Sequence, residues 1–203
     1  MTDPSATMRD AARAALDEVV AGNARFVAGT PADHVVPAAR REELVAGQHP
    51  LAVVLGCVDA RVPPEVVLDQ GVGDLLTVRT AGQSLAGVAL GSIEFGVQVL
   101  GVPLVVVLGH TGCGAVLAAM AEDRPAEGAL GALVGEVAHR LTDVVGHDPV
   151  WATGANLQAT VDALRELGTL ATADGPAFVV GVLYDLATGR VTVTDDAGLL
   201  APA

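Results

Sequence analysis

The pattern of apolar and polar residues along the middle of the chain predicts an α/β fold. Residues 51–56 and 103–109 are continuously apolar, and residues 74–79 form a third short segment with strand character. Runs of this length and composition are typical of strands buried on both faces of a parallel sheet. Helical spacing predicts a short helix after Pro63 and Pro64 and a longer one over residues 88–100, and a further helix starts directly after Cys113.

The two ends of the chain are predicted from the same periodicities. An amphipathic helix is expected over residues 6–28, where Leu16, Val19, Val20 and Phe26 fall near helical spacing. Further elements are predicted as helices over residues 38–46, 127–145 and 156–170, a turn over 146–154 that joins the last two, and a β-hairpin over 178–185 and 190–195.

Together these elements predict a single α/β domain over residues 1–203. Its mainly parallel sheet of four to five strands, the last one antiparallel, is flanked by helices. An N-terminal helical arm, residues 1–47, precedes the core, residues 48–203. Open α/β sheets bind ligands beyond the carboxyl ends of their strands, where the strand order reverses. If strands 51–56 and 103–109 are neighbours, the loops that follow them converge.

Composition and charge narrow the class of protein. With 51 % hydrophobic and 17 % charged residues the chain has the make-up of a well-buried globular core. A net charge of −13 argues against binding to nucleic acid or to an anionic membrane. The longest apolar runs fall far short of the roughly 20 residues that span a bilayer. The N-terminal residues lack the pattern of a signal peptide, so we expect a cytoplasmic protein with reduced thiols.

The chain has two cysteines, and each follows an apolar strand. Cys57 comes directly after strand 51–56, while His110 and Cys113 come directly after strand 103–109. Zinc binds thiolates and imidazole in tetrahedral geometry, and three protein ligands with one position left over are typical of a catalytic site. Taken singly, a cysteine is more often a small buried hydrophobe. Together at the strand ends, the three residues predict a zinc site.

Asp59 and Arg61 follow Cys57 at intervals of two residues. In an extended loop both side chains point the same way as the cysteine. Pairing with arginine holds a carboxylate ionised and able only to accept hydrogen bonds. Such a carboxylate either orients a water on the metal or binds the metal itself. An isolated pair of this kind would be read as a surface ion pair of little consequence.

These residues lie in two stretches, CVDARVPPEVVLDQGVGDLLTVRTAG and SIEFGVQVLGVPLVVVLGHTGCGAV, that resemble the β-class carbonic anhydrases. The family is recognised by a C-x-D-x-R motif followed some fifty residues later by H-x-x-C, and the similarity extends from residue 22 to residue 191. The resemblance implies that Cys57, His110 and Cys113 hold one Zn²⁺ per chain, and that Asp59 and Arg61 form the dyad that controls the fourth position. It also implies an N-terminal arm that embraces a second subunit.

Some positions depart from the family pattern or choose between its variants. Ala60 stands where serine is usual between the aspartate and the arginine. Members that close the zinc site with the aspartate have a tryptophan three residues before the first cysteine, where this chain has Val54. Its single tryptophan is Trp151, although Arg79 and Tyr184 match other parts of the bicarbonate pocket of those members.

Members with a permanently open site carry a glutamine nine residues before the first cysteine, and Gln48 matches it. The aromatic substrate-pocket positions of those members fall at Leu76 and Phe95. The resemblance therefore favours an open site, with Asp59 as a zinc ligand in the closed alternative.

The expected activity is the reversible hydration of carbon dioxide to bicarbonate and a proton by zinc-bound hydroxide. Gln48, Val62, Leu76 and Phe95 are the expected substrate-binding residues. Alternatives are hydrolysis of carbon disulfide or carbonyl sulfide on the same site, a non-catalytic bicarbonate-binding protein, and a thiol redox protein. A homodimer or tetramer is expected, with no nucleic-acid or membrane partner. The proton shuttle stays open among the remaining histidines, His34, His49, His139 and His147.

Overall fold

The sheet at the centre of the protein has five strands, as seen in a computed structural model that describes residues 4–32, 38–141 and 148–199. The strands formed by the described residues are β1 (Ala52–Cys57), β2 (Leu75–Thr80), β3 (Leu104–His110), β4 (Ala171–Thr172), β5 (Gly175–Pro176), β6 (Phe178–Tyr184) and β7 (Val191–Asp195). The short strands β4 and β5, which the sequence pattern did not predict, form a separate two-stranded sheet.

The order of the main sheet is β2-β1-β3-β6-β7. The first four strands are parallel, and β7 pairs with β6 in the antiparallel direction, which confirms the predicted fold class. Strand β1 lies directly beside β3, with Val53 opposite Val105 and Gly56 opposite Leu108. The order reverses at this pair, because β2 lies on one side of β1 and β6 lies on the far side of β3. The loops after β1 and β3 therefore meet at one end of the sheet.

Helices cover both faces of the sheet. They are α1 (Pro4–Ala28), α2 (Ala38–Val45), α3 (Pro64–Val67), α4 (Gly87–Glu94), α5 (Gly114–Met120), α6 (Gly128–Arg140) and α7 (Pro149–Glu166). A 3₁₀ turn, Ala81–Gln83, follows β2, and α4 continues as a π-helix, Phe95–Val99. On one face, residues of α4 and α7 such as Ile93 and Leu157 pack against β1 and β3 in a fully buried layer.

Helix α1 packs on the opposite face of the same sheet. Leu16 and Val19 are fully buried there, in one cluster with Val54 of β1 and Val106 of β3. Polar contacts also connect the end of α1 to the residues around the sheet. Asn23 donates to the carbonyls of Val67 and Gly189 and accepts from the backbone of Val191. The first helix is therefore part of the hydrophobic core of its own chain.

Helix α7 corrects one prediction. The segment 146–154 is not a turn throughout, since α7 begins at Pro149 rather than at residue 156. The Asp148 carboxylate accepts from the backbone N–H groups of Val150 and Trp151 and so caps the helix, and proline suits its first position. An aspartate followed by a proline is compatible with a turn and with the start of a helix. The capping contacts show that these two residues start a helix here. The helix ends at Glu166, earlier than predicted.

The remaining predicted helices lie close to their expected places. The end of the predicted helix 127–145 falls partly outside the described residues, as do His34 and His147. None of the helices over the described residues combines the length and the apolar character that a membrane span requires.

Candidate metal centre

Cys57, His110 and Cys113 come together at the end of the sheet where the strand order reverses. Cys57 is the last residue of β1 and His110 the last of the neighbouring β3. A tight turn through Gly112, at φ 64°, then brings Cys113 back to the start of α5. A positive φ is readily adopted only by glycine, so this glycine permits two potential ligands from one turn.

The three side chains form a compact and buried group. Their sulfur and nitrogen atoms all lie within 4.8 Å of one another, and the two sulfurs are 4.0 Å apart. Cys57, His110 and Cys113 are 3 %, 0 % and 1 % exposed. Two sulfurs and one imidazole nitrogen are a donor set that zinc prefers, with room for one further ligand.

His110 gives a direct test of whether a metal ion fits. Its Nδ1 lies 2.9 Å from the carbonyl oxygen of Thr111, which only accepts hydrogen bonds, so we assign the proton to Nδ1. The Nε2 lone pair is then free, and Nε2 is a buried atom without a hydrogen-bond partner among the described residues. A buried polar atom without a partner is costly, and a metal ion between this nitrogen and the two sulfurs satisfies it.

The two thiols differ in how readily they ionise, and Cys57 is the one that favours the thiolate. The hydrogen bond from the Cys113 thiol, helped by His110 and the Gly82 N–H, lowers the pKa of Cys57 to about 4. The same contact and burial raise the pKa of Cys113. Burial opposes the charged form of His110, but the Cys57 sulfur and the Thr111 carbonyl raise its pKa overall. Thiolates are the metal-binding form of cysteine. Cys57 can therefore bind a metal ion at little free-energy cost for losing its proton.

Asp59 and Arg61 form a two-point ion pair at the mouth of this group. Arg61 Nε lies 2.9 Å from Asp59 Oδ1 and Nη2 lies 2.6 Å from Oδ2. The backbone N–H of Arg61 also donates to Oδ1, and its Nη2 reaches the Gly112 carbonyl at 3.3 Å. The Arg61 guanidinium holds the pKa of Asp59 well below its usual range. Asp59 Oδ2 is 3.9 Å from His110 Nε2, so the carboxylate borders the metal position.

Arg79 fixes the backbone that carries this pair. Its Nε donates to the Cys57 carbonyl at 2.8 Å and its Nη2 donates to the Asp59 carbonyl at 2.7 Å. The register of the sheet places Arg79 on β2 opposite Gly56, within reach of the loop. The family resemblance indicates Arg79 only as part of a bicarbonate pocket. The sequence pattern contains no signal for this backbone contact.

The predicted substrate-binding residues do not form one group. Leu76 and Phe95 line a cavity of about 500 Å³ between β2 and α4. Val62 is fully buried in the core on the α1 side of the sheet, and Gln48 is exposed in the segment before β1. Neither is among the described residues that line the cavity. Their roles in substrate binding remain predictions.

Comparisons with known proteins agree on one family. A sequence model described as carbonic anhydrase matches residues 52–191. Carbonic anhydrase 2 of Mycobacterium tuberculosis is 42 % identical over 192 residues, covering 87 % of this chain and 90 % of the relative. The carbonic anhydrase of Mycolicibacterium smegmatis is 40 % identical over 191 residues, with the same coverage.

Solved structures share the fold. The β-carbonic anhydrase CafA of Aspergillus fumigatus is 27 % identical with a TM-score of 0.59, covering 80 % of this chain and 82 % of that one. A tetrameric β-carbonic anhydrase of Sordaria macrospora gives a TM-score of 0.67 at 24 % identity, covering 76 % and 85 %.

The mainly parallel sheet and the buried Cys₂His group define an α/β protein with a candidate metal site at its topological switch point. More specifically, the chain belongs to the carbonic anhydrase family, in its β class.

Proposed function

We propose that Cys57, His110 and Cys113 hold the zinc ion of this chain and that Asp59 and Arg61 control its reaction. Family membership makes the chain a zinc enzyme that hydrates carbon dioxide reversibly to bicarbonate and a proton. The observation that carries the assignment of the ligands is the buried Nε2 of His110, which has no hydrogen-bond partner among the described residues and lies within 4.8 Å of both sulfurs.

The chemistry divides between the metal and the side chains around it. Zinc, when bound, lowers the pKa of a water molecule from about 15.7 towards 7 and makes it nucleophilic at neutral pH. Asp59 is ionised and only accepts hydrogen bonds, so it accepts one from the attacking water and directs a lone pair at the carbon of carbon dioxide. Arg61 holds this carboxylate at two points and keeps it in the orienting position.

The fourth metal position is open in our proposal. Both oxygens of Asp59 are engaged by Arg61, and the carboxylate has to break these contacts before it can become a zinc ligand. Two charge-assisted hydrogen bonds oppose that movement. The match of Gln48 to members with an open site supports the same assignment, and Asp59 as a fourth ligand is the alternative.

We further propose that the cavity beside β2 receives carbon dioxide. We also propose that the chain forms a homodimer or tetramer. Strand β2 is the edge of the sheet, and apolar side chains around it are exposed, with Val88 at 87 %, Phe95 at 48 % and Val99 at 65 %. A second copy of the chain is the occupant that would cover them. Sedimentation of the wild type and of Val88→Asp tests this: the wild type should be dimeric or larger and the variant should dissociate. A monomeric wild type contradicts the proposal.

A cytoplasmic location is likewise proposed. Cys57 and Cys113 are buried and are not joined by a disulfide, and cysteines that bind metal are typical of a reducing compartment. The net charge of −13 supports the expected lack of nucleic-acid and anionic-membrane partners. Fractionation of cells with an antibody to the protein tests the location, and recovery outside the cytoplasm contradicts it.

The central experiment measures zinc content and stopped-flow hydration of carbon dioxide on the same purified sample. About one zinc per chain, with activity that chelation removes and zinc restores, is expected. Zinc without hydration supports a bicarbonate-binding protein, and turnover of carbon disulfide or carbonyl sulfide in parallel assays supports the hydrolase. Less than half an equivalent of zinc, with chelator-insensitive behaviour, supports the thiol redox protein.

A further inference from the structure

The 3₁₀ turn Ala81–Gln83 lies directly against one of the proposed ligands. The backbone N–H of Gly82 points at the sulfur of Cys57 across 3.5 Å. Gly82 has φ 63°, and a Cβ at this position would come within 3.0 Å of both Ala115 and Val137. Glycine is therefore the residue that fits this place in the turn, in its positive φ and in the space beside Ala115 and Val137.

Two buried amide side chains hold the turn from opposite sides. Gln83 Nε2 donates to the carbonyl of Leu108 in β3 at 3.2 Å. Asn156 Nδ2, from α7, donates to the carbonyl of Gly82 at 3.0 Å and to Gln83 Oε1 at 3.3 Å. Gln83 and Asn156 are 2 % and 1 % exposed. The turn at Gly82 and Gln83 is thus held between strand β3 and helix α7.

Stability alone does not account for these two residues. Asn156 Oδ1 is buried and has no hydrogen-bond partner among the described residues, which is unfavourable for folding. Gln83 has φ 55°, a left-handed conformation that is uncommon outside glycine. Conformations and unpartnered groups of this kind are found where the local geometry serves a site.

We propose that Asn156 and Gln83 are positioning residues that hold the Gly82 N–H on the Cys57 sulfur and thereby set how tightly that thiolate binds zinc. The inference rests on the proposed function, because it takes Cys57 as a ligand. Hydrogen bonds to a metal ligand fix its orientation and tune its donor strength, and losing them typically lowers metal affinity by about 10- to 100-fold. The hydrogen bonds of the Asn156 amide go to the Gly82 carbonyl and to Gln83 Oε1, so Asn156 acts on the Cys57 sulfur through the turn.

The test compares Asn156→Ala with Thr160→Val. Thr160 is a matched control, because it is a fully buried polar residue one turn further along α7 whose hydroxyl donates only within the helix, to the carbonyl of Asn156. Zinc affinity is measured by competition with a chromophoric chelator. The thiolate-to-cobalt charge-transfer absorption is measured on the Co²⁺-substituted proteins, and urea unfolding measures stability.

Asn156→Ala is expected to lower zinc affinity on the order of tenfold and to shift the charge-transfer band, whereas Thr160→Val leaves both as in the wild type. Wild-type affinity and an unmoved band in Asn156→Ala overturn the proposal, as does an equal loss in both variants. If Asn156→Ala does not fold, Gln83→Met takes its place with the same readouts and criteria. A wild type that binds no zinc contradicts the proposed function instead, so the two failures are distinguishable.

Discussion

Arg61 holds Asp59 by both carboxylate oxygens, with Nε 2.9 Å from Oδ1 and Nη2 2.6 Å from Oδ2. The same guanidinium reaches the carbonyl of Gly112, which lies in the turn between His110 and Cys113. The pair therefore connects the loop after β1 to the loop after β3. An aspartate held in this way is ionised, fixed in direction and only 3.9 Å from the imidazole nitrogen of His110.

Replacing the carboxylate by an amide is expected to separate zinc binding from turnover. Asp59→Asn keeps the shape of the side chain but removes the charge and one acceptor, so the attacking water is no longer oriented. The variant should keep its zinc and lose about 10- to 100-fold in kcat/KM. Stopped-flow hydration and metal analysis on one sample measure both. Full activity in the zinc-loaded variant refutes the role given to Asp59.

Removing a ligand should abolish zinc binding and activity together. Cys57→Ser or His110→Ala leaves two of the three donors, and the buried group then lacks the geometry zinc requires. His49→Ala, at an exposed histidine, is the control for metal content and should retain its zinc. Zinc analysis after dialysis, followed by the hydration assay, checks the outcome. A ligand variant with a full equivalent of zinc contradicts the assignment of that residue.

The proposed open metal position predicts a gradual dependence of activity on pH. Arg61 holds the pKa of Asp59 well below its usual range, so Asp59 stays ionised and paired throughout the range between about pH 6.5 and 9. Hydration rates should therefore fall gradually towards low pH, because a smaller fraction of the water that the metal would activate is ionised. An abrupt loss below about pH 8, accompanied by Asp59 entering the zinc coordination sphere, would establish the closed alternative.

The ion pair between Arg165 and Asp195 should contribute to stability at neutral pH. Arg165 contacts both oxygens of Asp195 and joins α7 to β7, and it holds the pKa of the aspartate well below its usual range. Because the folded pKa is lowered, the contribution is present above the ordinary value of about 4 and is lost as the pH falls through the folded pKa.

Asp195→Asn should thus lower the free energy of unfolding by about 1 kcal/mol at pH 7, since the pair is partly exposed. Urea unfolding at pH 7 measures this, with the exposed Asp123→Asn as the control. An unchanged midpoint in Asp195→Asn would mean that the pair adds nothing to stability.

Helix α1 is expected to contribute to the stability of a single folded chain. The sequence predicts residues 1–47 as an arm that precedes the core. Leu16 is fully buried against β1 and β3, whereas Val20 on the same helix is 38 % exposed. Leu16→Ala should lower the free energy of unfolding by about 2–5 kcal/mol and Val20→Ala by much less. Denaturant unfolding compares them, and equal effects would place α1 outside the core.

The candidate ligands were accessible from the sequence because their signal is local. Cys57, His110 and Cys113 all lie at or just after the ends of apolar strands. The continuous apolar runs of those strands indicate a parallel sheet. Asp59 and Arg61 were found from their place directly after Cys57, but the extended segment assumed for them was wrong. The backbone turns at residues 60–61, where the Val62 N–H donates to the Asp59 carbonyl, and the ion pair itself brings the two side chains together. Helix α7 was placed too late because Asp148 and Pro149 suit a turn and a helix start equally well.

What only the tertiary structure decided are the contacts between residues far apart in the chain. Arg79, Gln83 and Asn156 are visible in the sequence, but their contacts are not. The sequence does not show that Arg79 donates to the carbonyls of Cys57 and Asp59, or that the two amides hold the turn at Gly82 beside a sulfur. These contacts depend on strand register and on which helix face meets the sheet. Hydrophobic periodicity determines which residues are buried, whereas the partner of each buried polar atom is chosen only when the elements pack.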